Sequence, residues 1–131
     1  MKILLPPGWP RPKGYSNGIS ARGRLIFTAG LVGWDEDQRF VAPDLVGQFR
    51  QILNNMLAIL AEDGAGPEHV VRMTWYVVSR DEYSAQINAI GAAYRELMGR
   101  NFPVMAVVEV AALVEPEARI EIEATAMVPD A

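Results

Sequence analysis

The sequence predicts an α+β fold in which a mixed β-sheet is covered by two helices on one face. Two segments repeat apolar residues at helical spacings of three and four. The last segment alternates apolar and polar residues, and the remaining segments are short and rich in β-branched residues. The predicted order of elements is ββ-α-β-α-ββ, and two helices can cover only one side of such a sheet.

The first half of the chain begins with a turn-rich arm, which includes the stretch PPGWPRPKGYSNG and ends at residue 18. Two short strands are predicted between Ile19 and Leu31. Apolar residues then recur from Leu45 to Leu60 and predict an amphipathic helix. Asp44 stands at the expected N-cap of this helix, and the run from Asp63 to Pro67 is expected to end it.

The second half predicts a strand, a helix and two further strands. Residues 69–78 (HVVRMTWYVV) are typical of a strand. The helical spacing from Tyr83 to Leu97 predicts one helix, which Gly99 ends. In the last strand Ile120, Ile122 and their alternate neighbours are expected to face the core, so that Glu121 points away from the helices.

The strand from Val104 to Leu113 is apolar on both faces, which predicts contact with a second subunit. Val104, Ala106, Val108 and Val110 share one face, and Met105, Val107 and Ala111 share the other. Because the helices cover one side only, an apolar second side needs a covering loop or another copy of the chain. For so short a chain we expect oligomerisation, with Val107 and Ala111 facing the neighbouring subunit.

Length and composition limit the classes of function. The 131 residues fit a single domain, and no apolar run approaches a membrane span or a signal-peptide core, so we expect a soluble cytoplasmic protein. The absence of cysteine excludes thiolate metal sites and a cysteine nucleophile, and one histidine excludes a multi-histidine site. A net charge of −4 without a basic cluster disfavours nucleic acid as a partner.

Few residue groups indicate chemistry by themselves. His69 is expected in an exposed loop, since no serine or aspartate is arranged about it in a recognisable way. The phosphate-binding patterns G-x-x-x-x-G-K and G-x-G-x-x-G are absent. Glu109, Glu121 and Glu123 lie on neighbouring strand segments and would form an acid/base pair if their faces converge. Otherwise they are surface or interface charges.

Taken together, the motifs carry a resemblance that covers nearly the whole chain. They are PKGYSNGI, LIFTAGLVG, QFRQILNNMLAILAEDGAG, VVRMTWYVV, INAI, and NFP followed by VVEVAAL and ARIEIEATAMV. In order and spacing the chain resembles the reactive-intermediate deaminase family, RidA/YjgF. The final block is the most specific, because an apolar strand with a single acid, a short turn and then I-E-I-E-A is an unusual string.

The resemblance implies a chorismate-mutase-like fold over residues 1–131, assembled as a homotrimer with small-molecule clefts between subunits. It also implies hydrolysis of enamines or imines of short amino acids to 2-oxo acids and ammonia, without a metal or organic cofactor. Glu121 matches the glutamate that holds the attacking water. Tyr15, Gly30 and Asn88 match further residues of the substrate site.

Two positions depart from the family pattern. Met105 stands where the family has the arginine that grips the substrate carboxylate, and Ala29 stands where many members have serine. A thioether offers neither the charge nor the hydrogen-bond donors of a guanidinium, so the substrate is expected to differ from 2-aminoacrylate. Arg22, Arg24, Arg72 and Arg100 are candidate replacements for the missing arginine.

Three hypotheses follow from the sequence. The first is a variant deaminase or related hydrolase in which Glu121 positions water. The second is a non-catalytic or regulatory trimer that binds a small metabolite in the same cleft. The third is a ribonuclease, an activity sometimes attached to this family, which the acidic charge balance disfavours.

Overall fold

A mixed four-stranded sheet forms the centre of the protein in a computed structural model that describes residues 1–130. The strands within these residues are β1 (Lys2–Leu4), β2 (Gly18–Ser20), β3 (Arg24–Phe27), β4 (Val70–Val77), β5 (Val104–Glu109) and β6 (Ile120–Val128). The sheet has the order β3-β6-β4-β5, and only β5 runs parallel to its neighbour. The short strands β1 and β2 form a separate antiparallel pair. The predicted α+β class is confirmed.

The helices are α1 (Leu45–Ala61), α2 (Arg80–Ala85) and α3 (Ile87–Met98). The Asp44 side chain accepts a hydrogen bond from the Gly47 N–H at 3.0 Å, which confirms the predicted N-cap of α1. The prediction of one continuous second helix is wrong, because the backbone leaves the helical region at Gln86 (φ −103°, ψ 10°). Gly99 ends α3 with φ +64°, as its lack of a side chain allows.

The core lies between one face of the sheet and the helices α1 and α3. Alternate residues of β4 and β6 point into it, so Ile120 and Ile122 are fully buried as predicted. Trp75 packs edge-on against Phe49, with ring centroids 4.9 Å apart. The other large, fully buried members are Leu45, Ile52, Leu53, Met56, Leu60, Met73, Ile90 and Met98.

The orientation predicted for the fifth strand is wrong. Met105 and Val107 lie opposite Met73 and Trp75 of β4 and pack against the core, so Val107 does not face away from the helices. The strand also ends at Glu109, which leaves Ala111 exposed in the following loop. Because the strand is apolar on both faces, its hydrophobic pattern did not specify which face is buried.

The sheet face opposite the helices, hereafter the open face, carries exposed apolar side chains. Phe27 is 67% exposed and Leu25 is 50% exposed on β3, and Val108 is 41% exposed on β5. Ala106 is exposed between Val104 and Val108. The sequence therefore predicts an uncovered apolar face correctly, although different residues form it.

Buried Gln48 on α1 holds the connection that leads into β6. Its Nε2 donates hydrogen bonds to the Ala42 carbonyl at 3.2 Å and the Glu117 carbonyl at 2.9 Å, while its Oε1 accepts from the Arg119 N–H at 2.8 Å. A buried amide side chain is stable when its donors and acceptor are satisfied in this way. Gln48 thus fixes where β6 begins.

The N-terminal arm contains a strand that the sequence analysis did not predict. Strand β1 pairs with β2, and Leu4 lies opposite Gly18. Ser16 then fastens the arm to the chain before β5, because its hydroxyl donates to the Phe102 carbonyl at 2.5 Å and its N–H donates to the Pro103 carbonyl at 3.1 Å. None of the helices within residues 1–130 has the length and apolar character that crossing a membrane requires.

Candidate active site

A β-bulge follows β3 and shapes the candidate site. Phe27 pairs with Thr125 and Leu31 pairs with Ile122, so four residue steps on one strand oppose three steps on β6. Inside this interval the Ala124 N–H donates to the Thr28 hydroxyl at 3.0 Å instead of to a backbone carbonyl. A bulge re-aims the residues that follow it, and here it turns the backbone of Gly30 toward β6.

Gly30 and Glu121 are in direct contact as a result. A β-carbon at residue 30 would lie 2.5 Å from Oε2 of Glu121, which is closer than any real side chain tolerates. The backbone pairing of Leu31 with Ile122, with hydrogen bonds of 2.8 and 3.0 Å, holds the two segments in this position. Two of the residues that the sequence analysis selected for the site therefore lie together.

The Glu121 carboxylate is half-buried on the open face, opposite Tyr76 of β4. The Tyr76 hydroxyl donates to Oε1 of Glu123 at 2.9 Å, and this hydrogen bond is the main reason that the pKa of Tyr76 is raised. Glu121 itself has no hydrogen-bonding partner among the side chains and backbone groups of residues 1–130. Its oxygens are therefore available to accept hydrogen bonds from water or from a ligand.

The other three selected residues lie elsewhere in the chain. Met105 faces the helices and is on the opposite side of the sheet from Glu121. Asn88 is exposed near the start of α3. Tyr15 lines a cavity beside the arm. One chain therefore brings Gly30 and Glu121 together but does not bring Met105 to them.

The remaining sequence candidates have local structural roles. His69 is half-buried rather than in an exposed loop, and its Nδ1 accepts a hydrogen bond from the Gly66 N–H at 2.9 Å. Glu109 does not converge with Glu121, because its carboxylate accepts from the Arg80 N–H at 2.7 Å, at the first residue of α2. Negative charge is favourable at the start of a helix.

Tyr76 lies beside the two carboxylates of the site, Glu121 and Glu123, and was not predicted from the sequence. Arg72, Thr74 and Tyr76 alternate with buried residues along β4, so all three lie on the open face. This alternation of residues along β4 is the sequence signal that could have predicted Tyr76 beside the carboxylates of β6. Together with Phe27 and Glu123, Arg72 lines a cavity of about 200 Å³ on that face.

Comparison with known proteins decides the family. The sequence profile named Endoribonuclease L-PSP matches residues 10–128, which is most of the chain. This chain belongs to the RidA/YjgF family. The recognition made from the motifs is therefore confirmed.

Relatives in the RidA/YjgF family match over nearly their full lengths. A RutC family protein of Synechocystis is 33% identical, with 98% of each chain covered. The 2-iminobutanoate/2-iminopropanoate deaminase of Salmonella typhimurium is 33% identical, with 86% of each chain covered. Among solved structures, a Rid family protein of unknown function from Yersinia pestis has a TM-score of 0.82 and 34% identity, covering 97% of this chain and 98% of its own.

A second solved structure confirms the fold expected for the RidA/YjgF family. The yjgF gene product of Escherichia coli superposes with a TM-score of 0.68 at 28% identity, and the match covers 97% of this chain and 98% of that one. The helices on one face of a mixed sheet are therefore the family arrangement. Members with a deaminase name act, by that name, on 2-imino acids.

Proposed function

We propose that this protein hydrolyses an enamine or imine intermediate to a carbonyl compound and ammonia. Water adds to the imine carbon, a proton passes to nitrogen, and the carbon–nitrogen bond then breaks to release ammonia and a carbonyl group. The observation that carries the proposal is the Glu121 carboxylate, which packs against Gly30 and has no hydrogen-bonding partner within residues 1–130. Such a group can hold the attacking water and accept its proton.

The substrate differs from 2-aminoacrylate in this proposal. Met105 has no charge and no donor, whereas an arginine at that position would bind a carboxylate through paired, charge-assisted hydrogen bonds. The deaminase relatives named for 2-iminobutanoate and 2-iminopropanoate indicate the reaction class. We therefore infer that the substrate is an imine or enamine whose binding depends less on a contact between its carboxylate and residue 105.

The proposed site is a cleft between subunits of a homotrimer. The exposed apolar side chains of the open face, above all Leu25, Phe27 and Val108, favour burial against another copy. Met105 and Glu121 lie on opposite faces of one sheet, so they can line the same cleft only if two chains contribute. The placement of the site residues and the apolar surface thus support the same assembly.

The experiment compares two glutamates on one strand. The imine is generated in the assay from a 2-amino acid by an amino-acid oxidase, and formation of the 2-oxo acid is measured above its spontaneous rate. Glu121→Gln should lower the catalysed rate by roughly 10²- to 10⁴-fold, because a positioned general base contributes that much. Glu123→Gln is the matched control, because Glu123 lies on the same open face but already accepts a hydrogen bond from the Tyr76 hydroxyl.

Full activity in Glu121→Gln would assign the residue to structure and contradict the proposal. The second candidate is a trimer that binds a metabolite in this cleft without turnover, and Met105 is the observation that favours it. That function predicts a ligand-dependent rise in melting temperature with no 2-oxo acid formed from any imine tested.

A further inference from the structure

The bulge after β3 determines which residues of this segment face Glu121. Side chains alternate between the two faces of a strand, and Phe27 lies on the open face. In a regular strand Leu31 would therefore share the open face with Phe27, and Gly30 would face the helices. The structure has the opposite arrangement, since Leu31 packs against the core and Gly30 contacts Glu121. The one extra residue of the bulge thus exchanges the faces of Gly30 and Leu31.

The Thr28 side chain supplies the acceptor that the bulge removes from the backbone. The main-chain N–H of Thr28 donates to the Ala124 carbonyl at 2.9 Å, as in a regular antiparallel pair. In return the Ala124 N–H donates to the Thr28 hydroxyl at 3.0 Å, so Oγ1 takes the place of a backbone carbonyl. The hydroxyl itself donates to the Ala29 carbonyl at 2.9 Å. Both its hydrogen and one of its lone pairs are therefore used.

Ala124 needs this acceptor because it is buried. The residue is 4% exposed and belongs to the core, so water does not replace a missing partner of its N–H. A buried N–H without an acceptor loses the hydrogen bond that it makes to water in the unfolded chain. The hydroxyl of Thr28 thus makes the bulge compatible with a fully bonded strand β6. Valine has the same shape as threonine but would leave the Ala124 N–H unpaired as long as the bulge persisted.

Two bonded pairs enclose the segment that contacts Glu121. Thr28 and Ala124 form the pair on one side of the bulge. Leu31 and Ile122 form the pair on the other side, with hydrogen bonds of 2.8 and 3.0 Å. Gly30 lies between these pairs, so its distance from the carboxylate depends on both of them. Without the first pair, a regular register would bring the Leu31 side chain to the open face beside Glu121.

We propose that Thr28 is a positioning residue for the hydrolysis, because its hydroxyl holds the register in which Gly30 faces the Glu121 carboxylate. This role rests on the proposed function of Glu121, and Thr28 acts through that residue without touching the substrate. A shift of about 1 Å in a catalytic group lowers a rate by up to about 10²-fold. Loss of the hydroxyl therefore affects the chemical step more than it affects substrate binding.

Two substitutions at residue 28 separate the hydroxyl from the shape of the side chain. Thr28→Val should lower kcat for 2-oxo acid formation roughly ten- to a hundredfold, with KM changed by less than about twofold. Thr28→Ser keeps the hydroxyl and should stay within about threefold of the parental kcat. Thr125→Val is the matched control, because Thr125 lies opposite Phe27 and its hydroxyl makes no hydrogen bond within residues 1–130. It should keep the parental rate.

Two further measurements test the route through Glu121. Thr28→Val introduced into Glu121→Gln should lower the rate no further, because the carboxylate that it would displace is already absent. In the unaltered protein, NMR hydrogen exchange of the Ala124 amide should be as slow as that of the Ile122 amide, whose acceptor is the Leu31 carbonyl. The exchange measurement does not depend on the folding of any variant.

The positioning role is overturned by a parental kcat in a folded Thr28→Val protein, or by an equal loss in Thr28→Ser. A further fall in the double variant, or fast exchange of the Ala124 amide, would overturn it as well. Loss of activity in Glu121→Gln together with a parental kcat in Thr28→Val would contradict the positioning role alone. Full activity in Glu121→Gln would instead contradict the proposed hydrolysis, so the two failures are distinguishable.

Discussion

Oε2 of Glu121 lies so close to Gly30 that a β-carbon at residue 30 would require the carboxylate to move. The contact arises because the bulge after Phe27 shifts the strand by one residue before Leu31 pairs with Ile122. Gly30 does not have a positive φ, so its lack of a side chain matters for space and not for backbone conformation. The position of the Glu121 carboxylate is consequently set by a residue about 90 positions away in the sequence.

Gly30→Ala should therefore lower imine hydrolysis strongly and leave the fold intact. The added methyl group must displace the Glu121 carboxylate, while residue 30 is exposed and its backbone accepts alanine. We expect the rate to fall toward that of Glu121→Gln, measured as 2-oxo acid formation. Gly91→Ala is the control, because its β-carbon would meet only the flexible end of Arg95 at 3.3 Å.

The control has an expected effect of its own, since alanine stabilises a helix by up to about 1 kcal/mol relative to glycine. Gly91→Ala should accordingly melt at the same temperature as the parent or higher, with unchanged activity. Parental activity in a folded Gly30→Ala protein would show that the contact does not position the carboxylate.

Phe27→Glu should dissociate the proposed trimer. The ring is 67% exposed on the open face, and burial against another copy would contribute up to about 2 kcal/mol per subunit. A carboxylate there opposes association, yet it disturbs little within the chain, so sedimentation velocity should show a folded monomer. Val114→Glu is the control, because Val114 is 94% exposed on the loop before β6 and should leave the assembly unchanged.

Sedimentation of the unaltered chain as a stable monomer at micromolar concentration would contradict the intersubunit cleft directly. A Phe27→Glu protein that remained a trimer would instead exclude the open face as the surface of association.

Met105→Arg should raise the rate of hydrolysis of short 2-imino acids. Residue 105 is half-buried on β5, the edge strand of the sheet, so a long side chain can lay its stem on the core and extend its charge outward. One restored contact to the substrate carboxylate should increase kcat/KM by roughly ten- to a hundredfold. Met105→Leu keeps the volume without the charge and should give no gain.

A folded, assembled Met105→Arg protein without any gain would show that more than one contact has been lost. That outcome favours the metabolite-binding trimer over the deaminase.

Alkaline pH should destabilise the protein through its buried tyrosines. Burial raises the pKa of Tyr94 and of Tyr83 above the ordinary value near 10. The folded state therefore holds these protons more tightly than the unfolded state does. Stability is fully present below about pH 10 and falls as the pH rises further, by at most about 1.4 kcal/mol per pH unit for each tyrosine.

Urea denaturation at about pH 9 and about pH 11 measures this fall in the free energy of unfolding. Tyr94→Phe should be less stable near neutral pH, because the Tyr94 hydroxyl donates to the Asn101 carbonyl, but its stability should change less between the two pH values. An equal fall in the parent and in Tyr94→Phe would assign the pH dependence to other groups.

The sequence predicted most elements of the fold because their patterns had one interpretation. Alternation along 119–128 fixed the direction of Glu121, and Asp44 marked the start of α1. The sequence did not determine on which face of β5 Val107 lies, since both faces of that strand are apolar. It also missed β1, because three residues before two prolines carry too little pattern to predict a strand.

The candidate site was less accessible to sequence reasoning because long-range contacts build it. In the bulge the Ala124 N–H donates to the Thr28 hydroxyl in place of a backbone carbonyl, and no local sequence pattern predicts this hydrogen bond. The cavity beside the arm is likewise lined by residues that are far apart in the sequence, such as Tyr15 and Arg100. Only the resemblance to RidA/YjgF proteins selected Gly30 together with Glu121.

Strand β6 follows the other strands and helices along residues 1–130, yet it lies between β3 and β4 in the sheet. Residue 24 of β3 pairs with Val128 of β6, so β3 can join the sheet only after residues about 100 positions further along the chain have been synthesised. Until then β3 and β4 present unpaired edges, which are the surfaces most prone to join other chains. Loss of residues 120–128 would therefore leave β3 and β4 without the strand that joins them.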